Sequence, residues 1–111
     1  MPVATIPCGH IRDWDTFYGV FMEIFRFPHG LKGMDGWIDY MSSADSPEDE
    51  FIPPEFIAAP GDVLTLQLDD VAEFAERCPE QYAALVECSA FVNWRRIEIG
   101  ERPILALSFN K

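Results

Sequence analysis

The chain has 111 residues, 49% of them hydrophobic and 24% charged, with 19 Asp and Glu against 8 Lys and Arg and a formal net charge of −11. That length suits one domain with one continuous core, and a field of that sign repels phosphate, which excludes direct nucleic-acid binding as the first reading. No apolar run approaches the roughly 20 residues that cross a bilayer, and the N-terminus lacks the basic start and apolar core of a secretory signal, so a cytoplasmic protein without a membrane partner is expected.

Val3 to Cys8 is a short apolar run ending at Gly9-His10 and reads as a first strand. Asp13 supplies an N-cap ahead of Trp14, Phe17, Phe21 and Ile24, whose spacing of three and four predicts a helix that stops before Pro28. Gly19 inside that helix suggests a close packing contact. Gly30 and Gly33 then punctuate a loop, and Gly33 serves as N-cap of a short second helix. Along it Met34, Trp37, Ile38 and Met41 form a stripe at i, i+3, i+4 and i+7, while Asp35, Asp39 and Ser42 fall together on another side. One side would anchor the helix and the other would present two carboxylates.

Residues 43–60, with Ser46-Pro47, Glu48-Asp49-Glu50 and Pro53-Pro54, read as a long acidic loop, part of which folds back through Phe51, Ile52, Phe56 and Ile57. Val63 to Leu68 reads as a buried strand. Asp69-Asp70 is an N-cap candidate for a brief helix reaching Arg77, and Pro79 opens a longer helix to about Arg96. In that helix Tyr82, Leu85, Val86, Ser89 and Val92, with Ala84, Cys88 and Phe91 beside them, are expected to face inward. Pro103 to Phe109 closes the chain as another buried strand. The order predicts a single α/β domain spanning 1–111, a small three-stranded parallel sheet packed against about four helices.

Three cysteines, Cys8, Cys78 and Cys88, show neither disulfide nor zinc spacing and read as reduced core residues. Trp14, Trp37 and Trp94 likewise read as core. His10 and His29 lack metal-ligand spacing, and no phosphate loop or nucleophile motif occurs, so no metal, cofactor or catalytic residue is expected. A small-molecule enzyme built on His29 and Asp35 would need a deep pocket joining them. The charge is more informative in its placement: between Lys32 and Arg77 there is no base, and 12 of the 19 acids lie there. Such an excess attracts a cationic protein surface.

Phe27-Pro28-His29-Gly30-Leu31-Lys32-Gly33-Met34-Asp35-Gly36-Trp37-Ile38-Asp39 resembles the barstar family, intracellular inhibitors of barnase-type ribonucleases, as does the order of elements around it. The resemblance implies a barstar-like fold and an inhibitor rather than an enzyme. Its second helix and preceding loop would block the active site of a basic, extracellular-type ribonuclease or a related toxin. Asp39 would take the central phosphate-mimicking role and Asp35 a flanking one, with His29, Gly30, Gly33, Gly36, Ile38 and Ser42 as further partner-binding residues. The chain would be an immunity or regulatory protein, monomeric when free. His29 stands where the family often has a tyrosine, Gly33 where it has an asparagine, and Trp37-Ile38 inverts the apolar-Trp order of the family's best-known member, which marks these positions for partner specificity. The alternative is a non-inhibitory binding module that uses the same scaffold for another basic partner.

Overall fold

Three parallel strands in the order β1-β2-β3 form one sheet: β1 (Val3–Pro7), β2 (Leu64–Asp69) and β3 (Leu105–Asn110). The computed structural model describes residues 1–28 and 30–111. Helices α1 (Trp14–Ile24) and α2 (Met34–Met41) lie between β1 and β2, and α3 (Val71–Arg77) and α4 (Pro79–Glu98) lie between β2 and β3. This is the expected small α/β architecture of a three-stranded parallel sheet and four helices.

The strands are buried on one face only. Ala4 and Ile6, then Leu64, Leu66 and Leu68, and Leu105 point into the core, while Thr5, Thr65, Gln67 and Ser108 on the alternate face reach solvent. The register places Ile6, Leu68 and Phe109 side by side, yet Phe109 at the edge is exposed. Of the two runs expected as buried strands, β2 has no exposed residue and buries every second side chain fully, whereas β3 is exposed from Ser108 onward, so the sheet keeps the alternation of a half-solvated one.

Asp13 caps α1 as expected. Its carboxylate accepts from the Thr16 N–H at 2.9 Å, and the Thr16 hydroxyl accepts from the Asp13 N–H at 3.0 Å, so two orphan amides are satisfied reciprocally. The helix ends earlier than Pro28: Phe25 turns extended, and the Arg26 N–H donates to the Phe51 carbonyl at 2.8 Å, tying the chain to the 43–60 segment. Gly19 makes no close contact, since a Cβ there would meet nothing within 4 Å, which corrects the packing expectation. Asp70 does stand before α3, but in the left-handed region and with no side-chain cap; Asp69 instead accepts from Gln67 and Asn110 at 2.9 and 2.8 Å.

The 43–60 segment carries two short 3₁₀ turns, Pro47–Asp49 and Pro54–Phe56, and seals the core with Ile52, Pro53 and Ala58 while Phe51, Phe56 and Ile57 are half-buried. Helix α4 buries Gln81, Leu85, Ser89, Val92 and Arg96, one residue per turn along one side. Phe91 and Trp94 point away from that stripe and are exposed, so neither is the core residue that apolarity suggested; Trp14 is half-buried and only Trp37 is fully enclosed. Asn93 fixes the start of β3 against α4: its amide donates to the Leu105 carbonyl, and its oxygen accepts from the Ile104 and Leu105 N–H groups.

Candidate functional site

Helix α2 is held by its apolar side. Trp37 and Met41 are fully enclosed, Ile38 is 7% exposed, and the Trp37 indole meets Phe21 edge-on at 5.6 Å. Gly33 begins the helix at φ 98° and ψ 145°, a conformation closed to side-chain-bearing residues, and Gly30 at φ 82° makes the turn before it. Leu31, between these glycines, folds back over the helix, so that a Cβ at Gly36 would sit 2.9 Å from its Cδ1. Gly36 thus shapes the seating of the loop on the helix.

With that side buried, Asp35 and Asp39 face solvent, one turn apart. Asp39 is not alone there. Arg95 of α4 donates from Nη1 to Asp39 Oδ1 at 3.2 Å, with the side chains 45% and 65% exposed. The Arg95 guanidinium also lies 5.9 Å from the centre of the Phe91 ring, in cation–π range.

Two residues expected to meet a partner are turned to internal use. Ile38 belongs to the buried stripe, and its side chain packs into the core. Ser42 is half-buried, its hydroxyl donates to the Ile38 carbonyl at 2.7 Å, and its own carbonyl accepts from Arg96 at 3.0 Å. The expectation for His29 lies outside the described residues.

Arg96, where the sequence places the end of the last helix, is the lock beneath this surface. Its side chain is 8% exposed; it donates to Asp45 at 2.7 and 3.3 Å, to the Arg102 carbonyl at 2.8 Å and to Ser42, with Glu101 3.7 Å away. A buried guanidinium is tolerated when its donors are spent in this way. Beside it a groove of about 360 Å³ opens between the end of α2 and the end of α4, walled by Ser42, Trp94, Arg95, Glu98, Ile99 and Glu101. A second groove runs past Asp45, Gly61, Arg96 and Pro103. Asp35 lines neither of these two grooves.

The thiols do not read as nucleophiles. Burial, followed by the Asp69 and Asp70 carboxylates, pushes Cys8 up to about 12 against the opposing pull of Arg77. Cys88, half-buried rather than in the core, is raised by burial and by Glu87 and Asp35. Among the described residues no three His, Cys, Asp or Glu side chains converge on a common point, and no helix is long and apolar enough to cross a membrane.

No family model, curated protein or solved structure matches the chain.

Proposed function

We propose that this chain is a barstar-like inhibitor that binds a basic ribonuclease, or a related toxin, and blocks its active site with α2 and the loop before it. The observation that carries the reading is the exposed pair Asp35 and Asp39 on a helix whose opposite side is anchored by Trp37, Ile38 and Met41. Anchoring means that little ordering is left to be done when a partner arrives, and two carboxylates one turn apart match the cations that would otherwise hold RNA phosphate. The base-free interval from 33 to 76 surrounds them with like charge, which steers a cationic protein toward this face. The protein would act in the cytoplasm as a monomer, in the manner of a bacterial immunity protein guarding its host.

The test is titration into barnase-type ribonuclease assays, including any nuclease encoded beside this chain. Asp39→Ala is expected to weaken inhibition about 30-fold or more, equivalent to about 2 kcal/mol, the low end of the range for truncating a desolvated charge pair and a range drawn in part from barnase-type complexes themselves. Equal inhibition by both proteins, or none by either across the panel, sinks the proposal.

A second reading is favoured by one specific observation. Asp39 already holds Arg95, and Ile38 and Ser42 are committed internally, so the contact set differs from the one the resemblance implies. A non-inhibitory module for another basic protein uses the same charge. Capture of a basic protein without nuclease activity, dependent on Asp35 and Asp39, would select it.

A further inference from the structure

The C-terminal half of α4 exposes Phe91, Trp94 and Ile97, followed by Ile99 just beyond the helix; Trp94 is 54% and Ile99 73% exposed. Single exposed apolar residues are ordinary, but four lie within nine positions at this helix end. The Phe91 and Trp94 rings are stacked at 5.7 Å, which presents them as one preformed surface rather than two mobile side chains.

This patch is continuous with the acidic face of α2. Arg95 stands between them, its guanidinium over the Phe91 ring on one side and against Asp39 on the other. Trp94 and Arg95 also line the groove of about 360 Å³, which has an apolar wall from Trp94 and Ile99 and an acidic rim from Glu98 and Glu101. Its two bases are already spent: Arg95 is paired with Asp39, and Arg96 with Asp45 and Glu101. Glu98 has no ion-pair partner among the described residues.

We propose that this groove is a docking site for a bulky apolar side chain that a basic protein partner carries next to a Lys or Arg. The apolar group fills the space between Ser42, Trp94 and Ile99, and the neighbouring cation meets Glu98. The identity of the partner as a basic protein rests on the function proposed above; the site itself rests on the groove and its rim. Charge decides the occupant. A second copy of the chain would set Glu98 and Glu101 against their own equivalents and bring together two molecules of net charge −11, and an anionic lipid surface or nucleic acid is repelled by the same rim. A cationic protein is attracted, and its apolar residue gains burial against a surface whose rings are already ordered.

The experiment follows amide and indole resonances of the whole chain in NMR titrations with two blocked tripeptides, Lys-Trp-Lys and Glu-Trp-Glu. The basic peptide is expected to shift Ser42, Ile99 and the Trp94 indole saturably, and the acidic one is not. Trp94→Ala abolishes the shifts, and its exposure leaves the fold intact, verified by unchanged dispersion elsewhere. Glu98→Lys weakens the basic peptide about fivefold or more and admits the acidic one, a reversal that a merely structural role would not produce. Absent shifts, shifts centred elsewhere, or equal binding of both peptides overturn the site. Ribonuclease inhibition that depends on Asp39 but is indifferent to Trp94→Ala and Glu98→Lys also overturns it, leaving the proposed function standing. Specific binding of the basic peptide by a chain that inhibits no ribonuclease supports the site and refutes the inhibitor reading instead.

Discussion

Arg95 of α4 reaches across to Asp39 of α2 and donates to its carboxylate at 3.2 Å, so the acid proposed to meet a cationic partner already holds a cation of its own chain. Both side chains are substantially exposed, and such a pair contributes little to folding, about 0.2–1 kcal/mol. Under the proposed function its consequence would fall on binding, because a partner's cation would have to displace the guanidinium. Arg95→Ala is expected to leave the urea midpoint nearly unchanged and to tighten association with a basic ribonuclease about three- to tenfold at low salt, with the gain shrinking as salt rises. Stopped-flow association rates check this. Weakening comparable to that of Asp39→Ala would show that Arg95 is itself a contact.

Arg96 behaves oppositely. Replacing it by Met leaves Asp45, two carbonyls and a near-buried site without their donors, which is expected to cost about 3 kcal/mol in urea denaturation. Hydrogen exchange should rise at the Ser46 and Ala58 amides, whose bonds close the segment that Asp45 belongs to. Unchanged exchange there would mean that the segment is held independently of Arg96.

Two glycines separate conformational strain from open space. A Cβ at either Gly19 or Gly33 would meet nothing within 4 Å, but Gly33 has φ 98° whereas Gly19 lies inside α1. Gly19→Ala is therefore expected to stabilise by about 0.5–1 kcal/mol through helix propensity. Gly33→Ala should destabilise by about 1–3 kcal/mol through backbone strain and loosen the start of α2. Thermal melts of the two variants, moving in opposite directions, provide the check.

Asp13 links stability to pH. Its carboxyl is held below the ordinary aspartate range, first by the Thr16 N–H and then by the Thr16 hydroxyl. A lowered folded-state value contributes stability that is present above the unfolded value and lost as pH falls through the folded one. The destabilisation caused by Asp13→Ala should accordingly be fully visible near about pH 7 and shrink toward about pH 2. A difference independent of pH would assign the effect to something other than the charged cap.

Cysteine labelling tests burial directly. With burial pushing its thiol up to about 12, Cys8 carries little thiolate near neutral pH, and both it and Cys78 are buried. Iodoacetamide should therefore modify native protein slowly and at Cys88 first, and all three sites only after denaturation. Rapid native labelling of Cys8 would contradict its enclosure.

The order of strands and helices, the Asp13 cap, the two faces of α2 and the base-free acidic interval were all legible in the sequence. Each is a local property: a cap acts within one turn, and a stripe at i, i+3, i+4 and i+7 needs only the helical period to become a face. Helix α4 was not legible in this way. Its apolar residues ring the helix, so periodicity could not choose between burying Val92 and burying Phe91 or Trp94, and packing against β3 and α2 made that choice. The strands posed the same difficulty, since a continuous apolar run does not tell how many sides will be covered. Arg95 meets Asp39 across 56 residues and Arg96 meets Asp45 across 51, pairings set by where the chain crossings bring the helices. Sequence alone determined that α2 would present carboxylates; only the tertiary structure decided what stands opposite them, because ion pairs between elements depend on packed distance and not on spacing along the chain.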